Sequence, residues 1–209
     1  MTTHHSGPVR PDQLRVVPAN EASWADLLAI FGTTDYPGHC YCQAYKVRDC
    51  DWAAVAVDSR RDSLRNGTNC GDPAAASTTG LVGYLEDEPV GWVAVEPRIA
   101  YPRLLRTRTV WSGRDEDKAD EGVWAVTCFV TRRGYRGRGI TYGLAAAAVD
   151  YARDRGAAAL EGYGMLTEPG REITWGELHH GAVQVFEAAG LRPVSQPSKR
   201  RVVMRIDFA

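Results

Sequence analysis

No long apolar run occurs anywhere in the 209-residue chain. The nearest approach, Leu144 to Val149, stops at Asp150, far short of the ~20 residues that a membrane helix needs. Met1 to Arg15 holds no hydrophobic core of a secretory leader, so no export signal is expected there. The cysteines (Cys40, Cys42, Cys50, Cys70 and Cys128) are odd in number. Free thiols in a reducing cytoplasm are therefore expected. Charge of one sign is missing too: 25 Lys+Arg stand against 26 Asp+Glu, a net charge of -1. Nothing global draws the chain to nucleic acid or an anionic membrane. Internal repeats are absent as well. What remains is ordinary, with 44% hydrophobic and 24% charged residues, and excludes a disordered chain, a collagen and a coiled coil. A chain of this length buries roughly 70% of its unfolded surface and needs no metal or disulfide staple.

The pattern along the chain is mixed α/β. Leu14, Val16 and Val17 suggest a strand ended by Pro18. Trp24, Leu27, Leu28 and Phe31 follow helical spacing behind a cap at Asn20 or Ser23. Residues 32–50 read as irregular, and Asp51 opens a second helix that closes near Asn66-Gly67. Leu81 to Leu85 and Val90 to Val95 form a hairpin about Asp87-Glu88-Pro89. Residues 97–122 carry a basic block and then an acidic one, the pattern of a solvated excursion. Val123 to Val130 is the most strand-like run. A helix is expected over about 140–155, a strand over 157–163 and a second excursion over 164–178. A helix over about 180–189 and strands near 191–195 and 201–208 complete the chain. The division is one domain over 12–209, with insertions at about 97–122 and 164–178 and a flexible N-terminus over 1–11.

Between the strongest strand and the strongest helix lies Arg132-Arg133-Gly134-Tyr135-Arg136-Gly137-Arg138-Gly139-Ile140. A helix start presents unpaired amides and positive partial charge. Glycines let that backbone approach an anion, and Arg136 and Arg138 add bidentate donors. Together they make a phosphate cradle. It is not a P-loop, because no Gly-Lys-Ser/Thr follows, and the G-x-x-G-x-G spacing is not the dinucleotide fingerprint.

Val126 to Ala146 resembles the pyrophosphate-binding motif of the GNAT superfamily of acetyl-CoA-dependent N-acetyltransferases, whose pattern is Q/R-x-x-G-x-G/A. Here it reads Arg136-Gly137-Arg138-Gly139-Ile140-Thr141, with Thr141 in place of the usual Gly or Ala. The element order matches that family over about 12–208, and Gly181 to Leu191 resembles its last helix. The resemblance implies a GNAT fold: a central, mostly antiparallel twisted sheet, splayed between the strands near 123–130 and 157–163 and flanked by helices. It implies acetyl-CoA as co-substrate. Amides of Arg136, Gly137, Arg138, Gly139, Ile140 and Thr141 would hold its pyrophosphate, and main-chain groups of Phe129 and Val130 its pantetheine arm.

Acyl transfer to an amine needs the neutral amine, ~0.04% of a group with pKa near 10.4 at pH 7, a penalty of roughly 4–5 kcal/mol. A base offsets part of that. Expelling a thiolate of pKa near 8.5 unprotonated costs only about 2 kcal/mol. Many relatives place a tyrosine acid four residues before the terminal glycine of the last helix, where this chain has Phe186. Some place a carboxylate on the central strand, where it has Ala125. Among Glu161, His179, His180, Asp120 and Glu121, the base is assigned to Glu161, at the end of the strand facing the cleft. His179 and His180 are read as surface or capping residues. Tyr163 and Trp175 are assigned to an acceptor pocket. The Cys40-Tyr41-Cys42 spacing is tighter than zinc sites use, so no metal is expected.

The expected function is transfer of an acetyl group from acetyl-CoA to a primary amine of a small molecule or peptide, by direct attack. No nucleic-acid or membrane partner is expected, and the state is a monomer or homodimer in the cytoplasm. One alternative is a non-catalytic acyl-CoA-binding or regulatory module. Another is a nucleic-acid-binding protein using the Arg-rich loop and Arg192, Lys199, Arg200, Arg201 and Arg205.

Overall fold

In the computed structural model, which describes residues 7–32, 36–47, 52–167, 174 and 178–209, the strands join one sheet. They are β1 (Leu14–Pro18), β2 (Gly80–Leu85), β3 (Glu88–Pro97), β4 (Val123–Thr131), β5 (Ala159–Met165), β6 (Arg192–Ser198) and β7 (Arg201–Asp207). Their order is β1-β2-β3-β4-β5-β7-β6. Every neighbouring pair is antiparallel except β4–β5. This is the mixed, mostly antiparallel sheet expected from the sequence.

Helices cover both faces. α1 (Trp24–Phe31) starts at Ser23, whose hydroxyl accepts from the Asp26 amide while Asp26 accepts from the Ser23 amide. This reciprocal cap satisfies two otherwise orphaned donors. Leu27, Ile30 and Phe31 then pack on Val82, Trp92 and Val130. Two short segments follow: α2 (Pro37–Cys40), within the stretch read as irregular, and α3 (Val57–Thr68). α3 starts later than expected, after a 3-10 turn over Trp52–Ala54. The opposite face is covered by α6 (Ile140–Asp154) and α7 (Val183–Ala188). Leu144, Ala148 and Ala152 of α6 are fully buried against Val90, Val93 and Val126. No helix among the described residues is long and apolar enough to cross a membrane.

The first excursion, expected to be solvated, is anchored on the sheet by Arg98, Tyr101, Leu104 and Trp111, which are buried. After β3 the chain makes a 3-10 turn (Arg98–Ala100) and two short helices, α4 (Pro102–Arg106) and α5 (Arg108–Trp111). These fold back over the β4–β5 junction. Trp111 is buried and its indole N–H donates to the Leu104 carbonyl at 3.0 Å. The Arg98 and Arg114 guanidiniums and the Lys118 ammonium lie 4.9, 4.7 and 5.2 Å from its ring centroid. Across the opposed charge blocks, Arg98 pairs with Glu116 and with Glu161 of the sheet, whereas Arg103, Arg106, Arg108 and the other acids over 115–121 stay exposed. At the N-terminus, the Val9 amide donates to the Arg138 carbonyl at 2.7 Å. Residues 7–9 thus lie against the Arg-rich loop, and residues 1–6 of the segment read as flexible fall outside the described residues.

Candidate active site

A bulge in β4 opens the cleft. Ala94 pairs with Cys128 and Val95 with Val126, so Thr127 is an extra residue. Bulges bend and twist the strand that carries them. The parallel β4–β5 ladder ends at Val126↔Gly162, and beyond it the two strands part. Alternate residues of β4 aim their main-chain groups at opposite neighbours. The Phe129 amide donates to the His179 carbonyl, and the Arg132 amide to the Val90 carbonyl on β3. Phe129 and Thr131 therefore face the opening. Val130, expected to meet a ligand's arm, faces β3 opposite Trp92.

The opening continues into a cleft of about 390 Å³ between β4, the Arg-rich loop, the start of α6 and the segment entering α7. Gly139 caps α6 at φ +81° and offers no side-chain hydrogen bond to the helix's first amides. Helix geometry leaves the amides of Ile140 and Thr141 without partners inside the helix. They sit at the positive end of the helix dipole. Arg136, Gly137, Gly139, Ile140 and Thr141 all line the cleft, as does Phe129. Arg138 is not among the lining residues: its Nε donates to the Gly7 carbonyl at 3.1 Å. The cradle thus combines open amides, glycine backbone and one arginine at one end of an apolar trench, an arrangement suited to a diphosphate carrying an extended tail.

Glu161 does not face the cleft. It is fully buried beside Ala125 in the β4–β5 ladder. Its Oε1 accepts from Arg98 at 3.2 Å, from Arg205 at 3.1 Å and from Arg114. Its Oε2 accepts from the Tyr163 hydroxyl at 3.1 Å. A carboxylate already engaged by three guanidiniums and a phenol has no position for a substrate proton. Glu161 is a tie between the sheet and the folded-back excursion, which corrects its assignment as base. Tyr163 is buried with Tyr101, Leu104, Ala125 and Val203 and is not among the residues lining this cleft. Its phenol is held protonated, far above its usual range, by burial and by the neighbouring Glu161. Trp175 lies outside the described residues.

The feature missed in the sequence is His180. It is buried, not a surface or capping residue. Its Nδ1 lies 2.8 Å from the Thr127 carbonyl and so donates to it. Its Nε2 then accepts from the Tyr45 hydroxyl at 3.2 Å. Burial, with His179 and Arg201 nearby, holds the imidazole well below its ordinary pKa. With one ring nitrogen on the Thr127 carbonyl and the other on the Tyr45 hydroxyl, the ring is tied between two elements. Tandem histidines carry no sequence signal for this role, because Thr127 and Tyr45 are distant in the chain.

Cys40, Cys42 and Cys128 are buried and reduced. Burial and its neighbour Cys42 push the Cys40 thiol up to about 11. Such thiols are unreactive. Among the described residues, no group of three or more His, Cys, Asp or Glu is placed to hold a metal ion.

The family model described as acetyltransferase (GNAT) family matches residues 41–163. No curated protein sequence matches the chain. Solved structures similar to it include a GCN5-related N-acetyltransferase from Kribbella flavida. It has 16% identity and a TM-score of 0.52, with 95% of this chain and 100% of that one covered. An N-acetyltransferase from Staphylococcus aureus Mu50 has 10% identity and a TM-score of 0.52, with coverage of 93% and 98%. The putative acetyltransferase yncA from Salmonella typhimurium, solved with its cofactor acetyl-CoA, has 14% identity and a TM-score of 0.52, with coverage of 93% and 94%. At these identities the likeness shows the fold.

Proposed function

The chain belongs to the acetyltransferase (GNAT) family, and from that premise we propose that it moves an acetyl group from acetyl-CoA to a primary amine of a small molecule or peptide. The carrying observation is the open start of α6, with Arg136 beside it, at the head of a trench along the cleft-facing edge of β4. The amides of Ile140 and Thr141 and the Arg136 guanidinium would bind the diphosphate. The arm would run along the cleft-facing edge of β4. That a Salmonella typhimurium protein of the same fold holds acetyl-CoA supports the choice of cofactor.

Acetyl-CoA supplies the activated acetyl group. The amine nitrogen attacks the thioester carbon, the C–S bond breaks, and its electron pair leaves on sulfur. An ammonium must lose two protons to become the amide: one ends on the departing thiolate and one in solvent. No carboxylate is assigned as base, since Glu161 is engaged elsewhere. Desolvation does part of that work. Phe129, Ile140, Leu178, Ala182 and Val185 make the cleft largely apolar, and such surroundings disfavour the charged amine. The acid is dispensable for the thermodynamic reason given above. Phe186 is buried against Phe129 at a ring separation of 5.8 Å and has no hydroxyl to offer.

Thermal melting with acetyl-CoA tests the binding half. At ligand near 100 times Kd the stabilisation is about 2.7 kcal/mol, or roughly 6 °C for a chain this size. Gly139→Val should abolish that shift, because φ +81° is closed to a β-branched residue and the cradle must move. A shift that survives the substitution, or none in the wild type at millimolar acetyl-CoA, refutes this placement. Free-thiol release across a panel of primary amines then separates an enzyme from a non-catalytic acyl-CoA-binding module. The second reading draws its support from the absence of a carboxylate among the described residues lining the cleft and from phenylalanine at position 186.

A further inference from the structure

The cleft is partly occupied by the protein itself. Residues 178–182 lie in the gap between the parted strands and bond to both lips. The Phe129 amide donates to the His179 carbonyl at 2.7 Å, and the Met165 amide to the Gly181 carbonyl at 2.9 Å. Met165 also bridges Ala182 in parallel fashion. Between these rungs the His180 ring reaches through the gap to Thr127 and Tyr45. Gly181, at φ +95°, keeps the segment flat: a Cβ there would stand 2.8 Å from the Phe129 ring and 2.9 Å from the Phe186 ring. The segment therefore fills the splay much as an added strand would.

The pantetheine arm of coenzyme A is an extended chain with two amides. Such a chain pairs naturally with a free strand edge. The Phe129 amide is a cleft-facing donor on that edge, deeper in the splay than that of Thr131, and one N–H cannot serve the His179 carbonyl and an arm carbonyl fully at once. We propose that residues 178–182 are a strap that stands in for the cofactor's arm in the free protein, and that acetyl-CoA binds by taking the Phe129 amide from His179. The inference rests on the acetyl-CoA reading above and adds a control point to that site. Apparent affinity is then the intrinsic affinity multiplied by the fraction of molecules with the strap released. His180 is the latch. Its two hydrogen bonds stabilise the closed form, and neither involves the Arg-rich cradle.

The consequence is counter-intuitive: removing a buried histidine from the site should tighten binding. Calorimetric titration of wild type, His180→Ala and Tyr45→Phe uses two probes. Acetyl-CoA spans cradle and strap, whereas 3′-phospho-ADP, the nucleotide half without the arm, fills the cradle alone. Losing two hydrogen bonds from the closed form should raise acetyl-CoA affinity about tenfold in His180→Ala, and losing one about threefold in Tyr45→Phe. The affinity for 3′-phospho-ADP should not change. Tyr45→Phe leaves the buried ring of His180 in place, so it carries the test should His180→Ala fold poorly. Acetyl-CoA affinity that is equal or weaker in the variants overturns the strap, as does an equal change for both probes. A wild type that binds neither probe overturns the acetyl-CoA reading, and the strap with it.

Discussion

Replacing Glu161 by Gln separates a structural tie from a catalytic base. The carboxylate is fully buried and serves Arg98, Arg114 and Arg205, of which Arg98 is fully buried as well. Removing one partner of a buried ion pair costs about 3–5 kcal/mol, because the remaining charge is left without compensation. Glu116 moderates the loss. It is one-third exposed and also reaches Arg98, Arg114 and Arg205, so the lower end, about 3 kcal/mol, is expected. With an unfolding entropy of about 2.1 cal/mol/K per residue, that corresponds to a fall in Tm of roughly 7 °C. Differential scanning calorimetry reads it directly. The stabilisation by acetyl-CoA should persist, since Glu161 is not among the residues lining the cleft. Thiol release at a temperature where the variant is folded should stay within a few-fold of wild type. A variant that melts within 2 °C of wild type (roughly 1 kcal/mol) yet has lost turnover would refute the reasoning and return the carboxylate to the chemistry.

Stability should fall as pH drops from neutrality toward 5. The folded imidazole of His180 resists protonation, whereas an unfolded one accepts a proton near pH 6.5. The unfolded chain then binds more protons, and stability rises with pH through that window. Urea titrations at pH 7.5, 6 and 5 check this, and His180→Asn, which can still donate to Thr127, should flatten that part of the dependence. Trp111→Ala should cost about 3 kcal/mol by emptying the centre of the folded-back excursion. An unchanged urea midpoint would mean that α4 and α5 contribute nothing to the fold.

The cradle was legible because its signal is local. The spacing of Arg136, Gly137 and Gly139 lies within one loop, and the glycines it requires adopt positive φ. The strand at Val123–Thr131 was legible from its unbroken hydrophobicity. Glu161 was not, because period-two alternation gives a face and not a partner, and Arg98 arrives from 63 residues away. Opposed charge blocks at 97–122 look the same in sequence whether they meet water or each other. Val130 was misplaced by parity. One extra residue at Thr127 exchanges which β4 residues face the cleft, and no composition rule announces a bulge. His180 was hidden for the same non-local reason, since both of its hydrogen-bond partners come from other elements.

The single parallel ladder has a kinetic consequence. β2–β3 and β6–β7 are hairpins, which close quickly. The β4–β5 rungs, from Val123↔Ala159 to Val126↔Gly162, form only after the whole of α6 has crossed over. Parallel pairing across such a connection is intrinsically slow. The β4–β5 seam is bridged by Glu161, whose carboxylate holds Arg98 from the end of β3 and Arg205 on β7. A chain stalled before that step would hold two half-sheets, each with an exposed strand edge open to pairing with another molecule. The carboxylate read from the sequence as a base thus holds closed the seam whose opening would bare those edges.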